Sequence, residues 1–430
     1  MSKKQQEQNI ENNTSKNNNV LWIGWNSFFT DMSSEMIKPL LPIYLKVILQ
    51  VPVWVITLFN TLSDFLANIF KIIFWLKADK VKNKKKLILI WYSISNLFKP
   101  FMFIIQSVYW LFFIELLNRI GKWIRSAPKE VLMTYSIKEN ELWKWFWFQK
   151  AMDSFWAFVW TILISLLLYI FWLEYQVSLG WLTFNLFYII MFLTLIPWII
   201  SYLIIVKKVR NVYIDKWYAK EVEEKKKKKL LFDFSKIFDL GEGFNYLMWF
   251  IVLLSIWNIA LVFYILELIK LDFQPYQITL FYSIYVLVDA LLSYGIGKLS
   301  DKKGTSKYIL WFSLLAIFFS LLLTYTIGIS HDFYWIITGI IIFALLWLYE
   351  AWFEWTFKKV IVSNINKEYT WTAIWMYLGV SWIIKILASL LFAFAWEQWK
   401  TESVFWFWFL FITMAIIYLF TIVKYKKIKV

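Results

Sequence analysis

Long apolar runs, each about the length of a membrane-crossing helix, follow one another along most of the chain. A helix needs roughly 20 apolar residues to cross a bilayer. By that criterion the pattern predicts twelve spanning helices, with approximate bounds 21–48, 52–76, 87–106, 108–128, 146–172, 181–206, 242–268, 275–297, 308–329, 333–357, 371–396 and 403–424. The polar residues 1–20, rich in Asn and Gln, lack this pattern and predict a disordered cytoplasmic tail.

Basic residues alternate from one connecting loop to the next. Loop 77–86 carries six lysines, and segments 207–240, 298–307, 358–367 and 425–430 are also basic. The connections between them are nearly free of Lys and Arg. Because basic loops stay on the cytoplasmic side, this alternation predicts a multi-pass protein of the cytoplasmic (inner) membrane with both chain ends in the cytoplasm.

The basic segment 207–240 is too polar to insert, and we interpret it as a cytoplasmic linker that touches water or anionic headgroups. It separates two predicted six-helix bundles, 21–206 and 241–424, and a short basic cytoplasmic tail, 425–430, ends the chain. Six spans on each side of one linker predict two similar halves. Transporters built from two such halves hold their substrate between them.

An internal repeat supports this division. The sequence Trp-Leu-Lys-Ala-Asp-Lys follows the second predicted span, and Gly-Lys-Leu-Ser-Asp-Lys follows the eighth. Their aspartates, Asp79 and Asp301, are 222 residues apart, as are Trp75 and Gly297. Matching loops at matching positions predict a duplicated architecture.

The composition excludes several classes of protein. The chain is 61% hydrophobic and only 17% charged, whereas soluble domains are about 45–50% apolar and about 25% charged. It has no cysteine and a single histidine, His331, so thiol chemistry, disulfides and zinc sites are not expected. In a membrane protein the net charge of +16 indicates basic cytoplasmic loops, so we expect the bilayer and not a nucleic acid as partner.

The loop Gly297-Lys-Leu-Ser-Asp-Lys-Lys-Gly304 fits the spacing G-x-L-x-D-R/K-x-G. Three further stretches agree with the same family, namely Ser27–Pro42, Asn118–Lys129 and Gln149–Ser154. On these residues the chain resembles the major facilitator superfamily, in a bacterial branch of largely unassigned substrate. The resemblance implies an all-α integral membrane protein, with twelve transmembrane helices in two pseudo-symmetric six-helix halves.

The two repeated loops have the character of charged latches at cytoplasmic helix ends. In each loop the aspartate can pair with Arg or Lys of a neighbouring helix, and glycines permit close helix approach and a turn at positive φ. The alternative is that both aspartates are surface charges beside lysines. The candidate latch residues are Asp79, Lys80, Gly297, Asp301, Lys302 and Gly304.

Tryptophan is unusually frequent and glycine unusually rare, at 30 and 11 residues. The positions at which the resembling family has glycine include Trp75, Trp123, Trp143, Trp147, Trp156, Trp160, Trp371 and Trp375. We hypothesise that many tryptophans are glycines in the living cell, because its genetic code assigns a stop codon to glycine. The alternative is an authentic aromatic belt at the membrane interfaces, which suits Trp110 and Trp399.

Ionisable side chains inside membrane spans are costly and usually functional. Asp31 and Glu35 lie four residues apart, hence on one helical face, and so do Glu115 and Arg119. We predict a polar cavity near the midplane whose transport and proton-coupling candidates are Asp31, Glu35, Arg119 and Asp153. Secondary candidates are Asp64, Glu115, Arg125, Asp289, Glu350 and Glu354.

Two roles remain open for these charges. In the functional role the carboxylates carry protons, and Arg119, which stays charged, is a fixed counter-charge or substrate clamp. In the structural role Asp31, Glu35 and Arg119 form a salt-bridge network that closes one face of the protein. Arg125 is expected to extend its charged end to the headgroups instead of contacting substrate.

The sequence thus predicts a secondary active transporter, not an enzyme, that moves a small organic solute by alternating access. Proton coupling and export of the drug or metabolite antiporter type are the expected mode, in a monomer without cofactor or metal. The alternatives are a metabolite uniporter or symporter, a membrane-embedded lipid-modifying enzyme, and a transporter-like sensor.

Overall fold

The structure is a computed structural model. It describes residues 21–26, 28–30, 32, 34–35, 37–78, 84–102, 107–136, 142–171, 176–179, 182–209, 242–257, 261–300, 310–312, 314–320, 322, 334–365, 370–398 and 401–425. Most of these residues are helical, as expected for apolar runs that must satisfy their backbone polar groups inside a membrane.

The first predicted span is helical at 21–26, 28–30, 32 and 34–35. It continues through a turn into helix α1 (Leu40–Ile43) and one π-helical stretch, Tyr44–Ile48. Four helices then follow in the order of the predicted spans: α2 (Val53–Ala78), α3 (Lys84–Leu97), α4 (Val108–Ser136) and α5 (Leu142–Phe171). A 3-10 turn, Lys99–Phe101, follows α3 where Pro100 removes a backbone donor.

The sixth span differs from its predicted start at residue 181. Two antiparallel strands, β1 (Gln176–Leu179) and β2 (Leu182–Asn185), precede its helices α6 (Leu186–Leu193) and α7 (Leu195–Lys207). Leu179 pairs with Leu182, so two residues connect the strands, which is the commonest hairpin length. The apolar run therefore contains a helical stretch long and apolar enough to cross a membrane, but it begins with strand residues.

The second half contains α8 (Glu242–Trp257), α9 (Leu261–Lys270), α10 (Pro275–Ser300), α11 (Tyr334–Ser363), α12 (Thr370–Gln398) and α13 (Thr401–Tyr425). Within the described residues, four helical stretches are long and apolar enough to cross a membrane, namely Leu186–Lys207, Glu242–Lys270, Met376–Gln398 and Trp406–Lys424. The count of twelve spans stays a prediction.

The chain forms two compact units that do not follow the order of the sequence strictly. Unit 1 comprises Met1–Val51, Leu62–Tyr213 and Phe273–Ser283, and unit 2 comprises Pro52–Thr61, Ile214–Asp272 and Ile284–Val430. The start of α2 thus belongs to unit 2, and the start of α10 belongs to unit 1. Each unit takes one short helical segment from the other half of the sequence.

The backbone repeats with the same period as the loop motifs. Among the described residues, two non-glycine residues have positive φ, Gln50 at 50° and Asp272 at 59°. They are 222 residues apart, the separation that relates Asp79 to Asp301. Gln50 lies in the turn just before Pro52–Thr61, the segment of the first half that belongs to unit 2. Asp272 lies just before Phe273–Ser283, the segment of the second half that belongs to unit 1. The two turns are therefore equivalent in sequence position and in conformation.

Each unit has its own core. In unit 1 a buried cluster joins the first helix to α3 and α7 through Ile23, Ile88, Tyr92, Ile205 and Val209. In unit 2 an aromatic core joins α9, α12 and α13, where the Trp408 ring lies 5.2 Å from Phe263 and 5.1 Å from Phe392 between centroids. These cores fix the helices that position the polar side chains described next.

Candidate functional site

Three ionisable side chains meet where α2 passes α4 in unit 1. Arg119 donates from Nε to Oε1 of Glu115, one helical turn earlier, at 2.5 Å. The same guanidinium pairs through a terminal nitrogen with Oδ1 of Asp64 on α2. The carboxylate of Glu115 is almost fully buried, whereas the side chain of Asp64 is 43% exposed. Arg119 therefore links one buried carboxylate to one that is open to its surroundings.

A second set of charges lies around the end of the first helix. Nζ of Lys38 lies 2.5 Å from Oε1 of Glu35, and the Tyr282 hydroxyl donates to the other carboxylate oxygen at 3.0 Å. The buried ammonium of Lys99 donates to the hydroxyl of Ser34, next to Glu35, at 3.4 Å. Glu35 and Tyr282 are also buried. This carboxylate is thus held by a cation and by a phenol.

Both sets act on each other electrostatically. Arg119 lies within electrostatic range of Glu35 and Tyr282, and Glu115 lies within that range of Lys38 and Lys99. We call these residues the charged cluster, which consists of Glu35, Lys38, Asp64, Lys99, Glu115 and Arg119. It holds three carboxylates and three cations. The side chains of Lys38 and Asp64 are about half exposed. Burial of the other charges is tolerated because groups of opposite sign lie near them.

A neutral polar network lies on the same first helix, nearer the chain start. Asn26 donates from Nδ2 to the Ser201 hydroxyl at 2.6 Å, and the Tyr92 hydroxyl donates to Oδ1 of Asn26 at 2.6 Å. The Thr30 hydroxyl donates to the Tyr92 oxygen at 2.9 Å. All four residues are buried. The network ties the first helix to α3 and α7 and so fixes the helix that carries Glu35.

Arg125 does not extend to the headgroups, so that prediction was wrong. The residue is 3% exposed, and its guanidinium lies over the Tyr92 ring, 4.3 Å from the centroid. An arginine can cover an aromatic face with its flat cation, which offsets part of its desolvation. Arg125 therefore supports the Tyr92 network from α4.

Loss of the Tyr92 hydroxyl is expected to destabilise the protein. Tyr92→Phe removes the hydrogen-bond partner of the buried Asn26 and Thr30 side chains, at a cost of about 1–3 kcal/mol in unfolding free energy. Thermal unfolding of the purified protein in detergent measures this as a lower midpoint temperature. Tyr109→Phe is the matched control, because Tyr109 is 88% exposed and its change should leave the midpoint unaltered. Equal midpoints for both variants would contradict a stabilising network.

The structure brings together four of the predicted site residues, Glu35, Asp64, Glu115 and Arg119. The predicted residues Asp31, Asp79, Lys80, Asp301, Lys302 and Gly304 lie outside the described residues. For Asp153, Asp289, Gly297, Glu350 and Glu354 the structure describes the helix but not the side chain. Arg119 is paired with Glu115 and Asp64 instead of directly with Glu35.

Two residues of the site, Lys99 and Tyr282, were not predicted from the sequence. Lys99 could have been found, because it is an ionisable residue within the apolar run predicted as the third span. Tyr282 gave no such signal, since it is one of 24 tyrosines and stands in an ordinary apolar span. Within the described part of the chain, no group of three His, Asp or Glu side chains could hold a metal ion.

The chain is similar to known proteins over nearly its whole length, although no protein-family model matches it. An uncharacterized MFS-type transporter of Methanocaldococcus jannaschii is 27% identical over 414 residues, which cover 92% of this chain and 94% of that protein. MFS denotes the major facilitator superfamily. The chain is therefore similar over nearly its whole length to a transporter of the major facilitator type.

Solved structures share the fold of this chain. The nucleoside transporter NupG matches with a TM-score of 0.71 at 13% identity, over 94% of this chain and 98% of NupG. A D-xylose-proton symporter matches with a TM-score of 0.62 at 13% identity, over 94% and 96% of the two chains. These likenesses confirm the predicted all-α membrane fold class. Because these similar proteins are transporters, they favour a transporter over the lipid-modifying enzyme left open by the sequence.

Proposed function

We propose that this transporter moves a small organic solute by proton-coupled alternating access, and that it works as an exporter. The observation that carries the proposal is the charged cluster, in which buried carboxylates and cations face one another inside a membrane bundle. Carboxylates in such places serve as proton relays in transporters. Glu35 and the neighbouring Asp31 are the proton carriers, and Arg119 is the counter-charge that stays positive.

The proposal includes an arrangement in the membrane. The two six-helix bundles, 21–206 and 241–424, rock against each other around a substrate site between them, as in transporters with parallel repeats. The linker 207–240, the tails 1–20 and 425–430 and the latch loops lie in the cytoplasm, and the protein is a monomer of the inner membrane. The equivalent turns at Gln50 and Asp272 support a repeat of this kind.

Proton flux into liposomes tests the coupling with a small panel of probe solutes. Purified protein is reconstituted with a pH-sensitive dye inside, and uridine, D-xylose or ethidium is added as the probe solute. A nucleoside and D-xylose are chosen because proteins of the same fold carry those names, and ethidium represents exported organic cations. We expect solute-dependent proton movement that Asp31→Asn or Glu35→Gln reduces about a hundredfold or more, the range for loss of a positioned proton-transfer group.

Asp272→Asn is the control for these variants. Asp272 is an exposed carboxylate in the turn before α10, and asparagine tolerates its positive φ of 59°. Its proton movement should equal that of the unchanged protein. Solute movement that persists in Asp31→Asn and Glu35→Gln without proton movement would favour a uniporter. Absence of movement with every probe would favour a transporter-like sensor.

A further inference from the structure

Tyr282 brings a side chain of the second half of the sequence to the charged cluster. It lies on α10, a helix that the two units share, since Phe273–Ser283 belongs to unit 1 and the following residues belong to unit 2. The Tyr282 hydroxyl donates to Glu35 at 3.0 Å, and both side chains are buried. We call Phe273–Ser283 the exchanged segment.

Two other contacts of the exchanged segment are uncharged. The Ser165 hydroxyl of α5 donates to the carbonyl oxygen of Tyr276 at 2.6 Å. The rings of Tyr169 and Tyr276 meet edge to face, with centroids 5.2 Å apart. Neither contact involves an ionisable acceptor. The hydrogen bond to Glu35 is different, because its acceptor is a carboxylate that Lys38 and Arg119 also face.

Hydrogen bonds to an ionised group are about twice as strong as those between neutral groups. The bond from Tyr282 is therefore strong while Glu35 carries its charge and weaker when that charge is neutralised. Glu35 takes part in the proton movement proposed above. A change in the charge of Glu35 therefore alters the strength of a hydrogen bond to α10, the helix that both units share.

We infer that Tyr282 is a positioning residue for transport. Its hydrogen bond to Glu35 makes the strength with which the rest of unit 1 binds the exchanged segment, here called the hold, depend on the charge of that carboxylate. The inference rests on the proposed proton role of Glu35 for its part in transport. The hold itself stands on the contact between Tyr282 and Glu35 and needs no substrate to be tested. Release of the segment is thereby tied to the site at which the proton binds.

Thiol labelling measures the hold, because the chain has no cysteine and one introduced cysteine is the only target. Thr279 is fully buried within the exchanged segment, so Thr279→Cys reports when the segment separates from the rest of unit 1. The purified protein in detergent is treated with a water-soluble maleimide. Adding Tyr282→Phe is expected to raise the labelling rate about tenfold, which is the factor expected for a lost hydrogen bond to a charged group.

Two further variants separate a positioning role from simple loosening. Glu35→Gln keeps an acceptor but removes the charge, and should raise the labelling rate in the same direction. In that background Tyr282→Phe should add less than about twofold, because the two residues act through one bond. Tyr169→Phe is the matched control, because this residue is 61% exposed and the change keeps the ring that meets Tyr276, so the rate should stay unchanged. Ser283→Cys, also fully buried, is a second reporter if Thr279→Cys does not fold.

An unchanged labelling rate in Tyr282→Phe would overturn the inference. So would a full tenfold increase from Tyr282→Phe in the Glu35→Gln background, because the residue would then act independently of the carboxylate. Loss of proton coupling in liposomes is a separate result. If Glu35→Gln changed the labelling rate but not the proton movement in liposomes, the proton role would be refuted. The hydrogen bond between Tyr282 and Glu35 would then be purely structural.

Discussion

Peptide mass spectrometry of the protein from its native cells is expected to find glycine at Trp75, Trp123, Trp156 and Trp160. The first of these occupies the repeat position that Gly297 holds in the second half. The last two lie four residues apart within α5, where glycines would form a small-residue face for close helix packing. Glycine at these positions would restore both loop motifs and would require every expression gene to be rebuilt before assay.

Indole hydrogen bonds distinguish the tryptophans that should prove authentic. The Nε1 atom of Trp160 is buried and makes no hydrogen bond with any described residue, an arrangement that costs free energy. Trp110 and Trp198 instead donate from Nε1 to the carbonyl oxygens of Phe101 and Tyr92, each at 3.2 Å. We expect these two residues to be read as tryptophan in the same spectra.

The same spectra contain the result that would refute the hypothesis. Tryptophan at Trp75, Trp123, Trp156 and Trp160 would mean that the aromatic belt is authentic and that the helices tolerate bulky residues at these contacts. Glycine at Trp110 or Trp198 would show that indole hydrogen bonding does not mark authentic sites. The transporter fold stands in either case, because it rests on similarity over nearly the whole chain.

Replacement of Arg119 is expected to have the largest effect of any single substitution in unit 1. Arg119→Gln leaves the buried Glu115 carboxylate and the Asp64 carboxylate without their shared cation. Breaking a buried ion pair from one side costs about 3–5 kcal/mol of unfolding free energy. We expect a clear drop in the unfolding midpoint in detergent and loss of proton movement in liposomes.

A double variant separates stability from transport. Glu115→Gln together with Arg119→Gln removes both charges of the α4 pair. The double variant therefore has no buried carboxylate at position 115 that lacks its cation. Most of the lost stability should return, while proton movement stays absent because the fixed counter-charge is gone. Recovery of transport in the double variant would show that Arg119 serves the fold alone. Arg119→Lys should be intermediate, since an ammonium cannot reproduce the two-sided guanidinium contact.

Much of the fold could be predicted because hydropathy and charge act along the chain. Apolar runs identified α2 to α5 and the helices of the second half, and the i, i+4 spacing identified the ion pair between Glu115 and Arg119. The β1–β2 hairpin escaped, because its strands join an apolar run without a break in hydropathy. Helix and strand cannot be separated by apolarity alone over four residues.

The site could be predicted only in part, because hydropathy does not tell which helices meet. Asp64 and Arg119 are 55 positions apart in the sequence and are joined only by the packing of α2 against α4. The contact between Glu35 and Tyr282 spans 247 residues and crosses from one half of the sequence to the other. The burial of Arg125 was not predicted for the same reason, since its guanidinium lies over the Tyr92 ring of a different helix.

Membrane insertion of the first bundle depends on when its charges meet. A single charge at the centre of an inserting helix costs about 2.5–3.5 kcal/mol. Helix α4 carries Glu115 and Arg119 as its own pair and can enter the bilayer with these two charges matched. Helix α2 leaves the ribosome earlier with Asp64, whose partner Arg119 has not yet been made. We therefore expect α2 to stay beside the translocon until α4 is made, so that the first four predicted spans enter the lipid as a group.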